Sequence, residues 1–149
     1  MLHNIRSVHN VGSIFRTAEA AGVSKIILSG YTPAPLDRFG RERKDLSKVA
    51  LGAEKTVVWK QTKTLAVAVK QLKKENYVVA AIEQDKRSTS LFDFKPPKKL
   101  ALVLGNEVRG LSQQSLKLCD AIVEIPMRGH KESLNVSVAA GIVVFSFLN

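Results

Sequence analysis

Four short apolar runs, each emptying into glycine and polar residues and then into a helical pattern, constrain this chain most tightly. They are KIILSG (residues 25–30), YVVAAIE (77–83), LALVLG (100–105) and AIVEIP (121–126). Runs this short and this apolar read as strands buried on both faces, and such strands belong to parallel sheets covered by helices above and below. The segments between them agree. Residues 11–21 carry Ile14, Phe15, Ala18 and Ala21 on one side, with Asn10 as the expected N-cap and Gly22 in the place of a terminating glycine. Leu65, Val69 and Leu72 recur at helical spacing through residues 64–74, and residues 112–119 read as a short helix. Residues 56–59 are a weaker strand candidate, and Asn135 caps a last helix. The alternation predicts a single α/β domain over residues 1–149, with a mostly parallel sheet flanked by helices.

The chain carries 23 Lys and Arg against 13 Asp and Glu, a formal charge of +10. A field of that sign attracts polyanions without saying which one. Residues 37–48, DRFGRERKDLSK, concentrate five basic and three acidic side chains. They read either as a flap that contacts phosphate or as a solvated loop running into a helix. No apolar run approaches the ~18 residues of a membrane span. With no secretory leader visible and only Cys119 for thiol chemistry, a cytoplasmic protein is expected. Cys119 follows Leu118 in an apolar stretch and reads as a packed side chain rather than a nucleophile. No His, Cys or carboxylate stands at zinc spacing from His130, so no metal is expected, and His130 reads as solvated or ligand-facing.

Three segments place Gly, Asn, Ser, Glu or Arg where a strand gives way to a helix, the edge at which open α/β sheets bind ligands. In LVLGNEVRGLS (102–112), Gly105 marks either a close backbone approach to a ligand or a demanding turn. The segment matches neither the dinucleotide glycine pattern nor the P-loop, since Leu111 stands where the P-loop lysine would be. In IPMRGHKESLNVSVAAG (125–141), Ser133 and Asn135 stand at a helix start, where such residues commonly act as caps. In NVGSIFRTAEAAG (10–22), Arg16 sits on a mostly apolar helix; if buried or half-buried it needs an anion, either an internal carboxylate or a ligand phosphate. The final helix is apolar almost all round, from Val136 to Leu148. A surface helix would show a polar face, so this one lies beneath other elements or against a second subunit.

Taken together and in order, these three segments resemble the SPOUT superfamily of RNA methyltransferases, closest to its SpoU (TrmH-like) ribose 2′-O-methyltransferases. The resemblance spans nearly the whole chain. It implies a C-terminal segment threaded into a deep trefoil knot, S-adenosyl-L-methionine held in the knot loops, and a homodimer whose active sites draw on both subunits. Carried onto this sequence, the family pattern puts Asn10, Arg16 and Glu107 at the reaction centre, with Ser133 and Asn135 beside them. Leu104, Gly105, Ile125, Met127 and Leu134 would hold the cofactor through backbone groups, with Ser133, Ile82 and Glu83 bordering it.

The implied reaction transfers a methyl group to a ribose 2′-hydroxyl of tRNA or rRNA. The alternatives on this fold are an RNA-binding domain without catalysis and a base methyltransferase. Arg16 would clamp the phosphate of the target nucleotide, or take the proton transiently if strongly desolvated, and Glu107 would orient Asn10 or the arginine. The strand that usually precedes the first motif is almost absent, reduced to Leu2 or little more. No separate RNA-binding extension is expected, so the basic surface must select the substrate, with Arg6, Arg38, Arg41, Arg43, Arg109 and Arg128 joining Arg16 in RNA contact. The target nucleotide is not legible.

Overall fold

The computed structural model describes residues 1–148. Seven strands appear: β1 (Leu2–His3), β2 (Ile26–Ser29), β3 (Trp59–Thr62), β4 (Val78–Ile82), β5 (Thr89–Ser90), β6 (Leu100–Val103) and β7 (Ala121–Glu124). Six helices accompany them: α1 (Val8–Ala20), α2 (Lys44–Ala50), α3 (Ala53–Thr56), α4 (Leu65–Lys74), α5 (Gln113–Leu118) and α6 (Val136–Ser146). One sheet has the order β1-β2-β3, the other β5-β7-β4-β6, and every pair within them is parallel. A parallel bridge between Leu2 and Leu104 joins the two. There the His3 N–H donates to the Leu104 carbonyl at 2.9 Å, and the Leu104 N–H donates to the Met1 carbonyl at 3.0 Å. The result is one run of parallel strands, β3-β2-β1-β6-β4-β7-β5, with its seam at β1.

Pleat alternation sorts the helices. Ile26 and Leu28 of β2 pack with Phe15 of α1, Leu46 of α2, Ala53 of α3 and Ala140 of α6. Ile27, between them, faces the other way, into a cluster with Leu65, Val69 and Leu72 of α4 and Leu116 of α5. On β4, Val79 and Ala81 join that second cluster, while Ala80 packs with Val143 of α6. β2 and the middle of β4 are therefore buried on both faces, the physical reason those runs show no polar alternation. A close crossing joins α1 to α2: a Cβ on Gly12 would lie 2.9 Å from Val49 Cβ and 3.0 Å from the Leu46 carbonyl.

Several expectations shift. The N-cap of α1 is Ser7, not Asn10; its hydroxyl accepts the Asn10 N–H at 3.2 Å, so Asn10 lies in the first turn. The third strand is Trp59–Thr62 rather than 56–59, because parallel pairing with Ile26–Ser29 sets its register and Thr56 closes α3. The 77–83 run is fully buried only at Val79, Ala80 and Ala81. The final helix lies only partly beneath other elements. Val136, Ala140 and Val143 are buried, while Val138, Ile142 and Phe145 stay 37 to 51% exposed.

Candidate active site

Parallel register sends the loops after β4, β6 and β7 out of one sheet edge. There they enclose an open cleft of about 180 Å³ lined by Ile82, Glu83, Leu104, Gly105, Ile125, Met127, Ser133 and Leu134. Those are all eight residues expected around a cofactor, drawn from three segments far apart in sequence. Gln84, Asn106, Val108 and Gly110 line it too and were not anticipated. Their signal was available, since each lies within a few residues of a strand end on the edge where parallel sheets bind ligands.

The cleft loops are braced. Glu83 accepts the Leu111 N–H at 2.9 Å on one carboxylate oxygen and the Gln84 N–H at 3.0 Å on the other. The Gln84 side chain in turn donates to the Glu132 carbonyl at 2.6 Å, tying the 125–135 loop to the end of β4. Asn106 is 8% exposed, and both ends of its amide are used. Its Nδ2 donates to the Asn4 carbonyl at 3.0 Å and the Tyr31 hydroxyl at 3.1 Å, and its Oδ1 accepts the Val108 and Arg109 N–H groups at 2.9 Å. The loop from Gly105 to Leu111 closes so tightly that a Cβ on Gly105 would lie 2.7 Å from the Gly110 carbonyl carbon and from Leu111 Cγ. Gly105 is thus required by the loop's own steric closure rather than by unusual dihedrals, since it is not among the positive-φ glycines.

At the cleft's mouth Glu107 organises the start of α1. Its carboxylate accepts the Arg6 and Ser7 N–H groups, each at 2.9 Å, and the Asn10 side-chain amide at 3.1 Å. Burial alone would raise its pKa, but the donations from Arg6, Ser7 and Asn10 outweigh it and hold the carboxyl below its ordinary value. Asn10 Oδ1 accepts from Asn135 Nδ2 at 3.2 Å, and Asn135 Oδ1 accepts the Ser137 N–H at 2.8 Å as the cap of α6. Glu107, Asn10 and Asn135 therefore form one hydrogen-bonded chain across the three motif segments. Ser133 stands exposed on the cleft rim.

Arg16 departs from the burial considered for it. It is exposed, and no carboxylate among the described residues pairs with it. The buried stripe of α1 runs through Val11, Ile14, Phe15 and Ala18. At about 100° per residue, Arg16 falls well outside that stripe. Of the remaining arginines, Arg6, Arg109 and Arg128 are exposed near the cleft loops, and Arg38 is exposed on the loop after β2. Arg41 and Arg43 are engaged, with Asp37 at 2.8 Å and Asp45 at 3.0 Å. Cys119 is half-buried, and burial pushes its thiol up to about 11, which leaves it a packed side chain. No helix is long and apolar enough to cross a membrane among the described residues.

Comparison with known proteins matches this geometry. Residues 1–145 match the SpoU rRNA Methylase family. The 23S rRNA (guanosine-2'-O-)-methyltransferase RlmB of Ralstonia nicotianae is 36% identical over 146 residues, covering 97% of this chain and 55% of its own. The chain thus spans about half the length of the curated relatives it matches. The AdoMet-bound rRNA methyltransferase of Sinorhizobium meliloti superposes with a TM-score of 0.87 at 27% identity, over 98% of this chain and 53% of that one. A solved structure concerning the 2-OH methylation of C/U34 on tRNA gives 0.82 at 25% identity, over 98% of this chain and 90% of that one. With a parallel α/β sheet of the same architecture and its sequence matched almost from end to end, the chain belongs to the SpoU rRNA Methylase family.

Proposed function

We propose that this chain is the catalytic domain of an S-adenosyl-L-methionine-dependent RNA methyltransferase, transferring a methyl group to a ribose 2′-hydroxyl of tRNA or rRNA. The observation that carries the proposal is the convergence of eight residues from three segments on one cleft, with the Glu107–Asn10–Asn135 chain at its mouth. The cleft suits the cofactor. Ile82, Leu104, Ile125, Leu134 and Val136 supply apolar walls for a purine. The N–H groups of Gly105, Met127 and Leu134 have no acceptor among the described residues and are free to read its edge. When bound, S-adenosyl-L-methionine supplies a methyl group already activated on a sulfonium.

The chain's own residues do the rest. Glu107 is held ionised by three donors and fixes Asn10, and through it Asn135, beside the cleft. Arg16 clamps a phosphate of the target nucleotide, and its positive charge lowers the cost of forming an alkoxide at the 2′-oxygen. An exposed Arg16 is free to meet RNA beside a second copy of the chain. The exposed stripe Val138, Ile142 and Phe145 on α6 supports a homodimer in which Arg16 of one subunit serves the cleft of the other. Arg6, Arg109 and Arg128 at the rim, with Arg38 beyond it, hold the RNA backbone. The C-terminal segment 125–148, threaded past the 82–84 and 105–111 loops into the family's trefoil knot, would make these loops one rigid cofactor seat. The whole reading is that of a cytoplasmic enzyme acting on RNA, with this chain as one domain.

Transfer of radiolabel from S-adenosyl-L-methionine to total tRNA and rRNA, followed by nuclease digestion, tests the proposal. Label in 2′-O-methylated nucleosides with wild-type protein, absent with Arg16→Ala, is the expected result. Cofactor binding without transfer to any RNA would leave an RNA-binding domain, and label on a base would make the chain a base methyltransferase.

A further inference from the structure

We infer that the hairpin from Leu36 to Glu42 is a base-stacking element, in which Phe39 receives an unstacked nucleobase of single-stranded RNA. The inference rests on the RNA methyltransferase reading and adds a residue outside its cleft and motifs. Leu36 and Glu42 form an antiparallel bridge, and Asp37 organises the turn between them. The Asp37 N–H donates to the Arg41 carbonyl at 2.9 Å, and the Gly40 N–H donates to the Asp37 carbonyl at 3.0 Å. One oxygen of the Asp37 carboxylate accepts the Phe39 and Arg41 N–H groups at 2.8 and 3.0 Å. The other accepts Arg41 Nε at 2.8 Å. Gly40 takes φ +76°, which lets the chain reverse.

This closely bonded turn buries nothing. Phe39 at its tip is 65% exposed and belongs to none of the apolar clusters. Two guanidinium groups flank its ring, Arg38 Cζ at 4.7 Å and Arg41 Cζ at 4.9 Å from the centroid. A rigid turn holding an aromatic ring in solvent beside two guanidinium groups is the chemistry that single-stranded nucleic acid recognises, because every base offers a π-face. The charge pattern argues for stacking over phosphate contact. Arg41 is paired with Asp37, Arg43 with Asp45, and Lys55 with Glu42, so Arg38 is the hairpin's one cation without a carboxylate among the described residues. A duplex hides its base faces, so the matching partner is a loop or a single strand.

The hairpin is well placed to act with the cleft. It follows β2 on the sheet edge that carries the cleft loops, and Tyr31 at its root accepts from Asn106 of the cleft at 3.1 Å. Immediately after it, α2 crosses α1, the helix of Asn10 and Arg16, at contact distance over Gly12.

Binding of a labelled single-stranded RNA oligonucleotide and of a duplex of the same length, each across a salt series, tests the inference with no methyl transfer involved. Phe39→Leu should weaken single-strand binding about tenfold with the salt slope unchanged, since stacking releases no counterions. Phe39→Trp should restore it. Arg38→Ala should reduce the slope by about one unit. Wild-type affinity in Phe39→Leu, or equal losses on single strand and duplex, would overturn the hairpin's role. In either case radiolabel transfer by the wild-type protein would show whether the methyltransferase reading survives. A wild-type protein that neither binds RNA nor transfers label would sink both.

Discussion

Asn10 and Arg16 stand on the same helix, nearly two turns apart, and live in opposite environments. Asn10 is tied at both ends of its amide, to Glu107 at 3.1 Å and to Asn135 at 3.2 Å. Arg16 is exposed and carries no ion pair among the described residues. The same contrast divides the molecule. The cleft loops are held by Glu83, Gln84 and Asn106, whereas the outer face of α1, the Phe39 hairpin and the apolar stripe of α6 are exposed. The braced side is preorganised for a small ligand, at a cost met in folding. The exposed side is where the proposed contacts with RNA and a second subunit fall.

Arg16→Ala should break the contrast most sharply. Methyl transfer should fall by about 10²-fold or more while cofactor affinity, read by titration calorimetry, stays unchanged. Arg16→Lys should recover little, because a lysine lacks the bidentate fork that matches a phosphate. Charging the apolar stripe with Val138→Asp and Phe145→Asp together should yield monomers by sedimentation and abolish transfer, again with the cleft intact. A dimer that persists would remove the stripe from the interface.

The next effects lie on the braced side. Gly12→Ala should cost about 2 kcal/mol in chemical denaturation through overpacking against Val49 and the Leu46 carbonyl. Gly129→Ala, where nothing lies within 4 Å, should be close to neutral. Glu107→Gln should cost about 1 kcal/mol at neutral pH, the usual scale of a lost helix-start acceptor. The folded pKa of Glu107 is depressed, so its contribution is fully present above the unfolded carboxyl value of about 4.3 and is lost as pH falls through the folded value. The stability gap between wild type and variant should therefore close on acidification below that value. A gap that persists at low pH would mean the glutamine fails for steric reasons instead.

Strand identities were legible because burial on both faces leaves an apolar signature, clearest at 26–28 and 79–81; 100–103 carries the same signature although only Val103 is fully buried. The residues that the family resemblance puts around a cofactor came from that resemblance rather than from composition, and all of them line one cleft. The N-cap of α1 was not legible. Ser7 and Asn10 are equally good caps by type, and the choice was made by a carboxylate 100 residues away, Glu107, bonding the Ser7 N–H. The exposure of Arg16 was also hidden, since helical spacing shows which residues share a face but not which partner covers it.

Local pattern by itself determined the α/β class, the parallel sheet and the segments that converge on its edge, because strand burial and turn chemistry are written in neighbouring residues. Tertiary structure alone decided which polar groups meet. The Glu107–Asn10–Asn135 chain and the seam of Leu2 with Leu104 each join residues far apart along the chain. Such contacts depend on register and on the direction of whole elements. No local propensity encodes them.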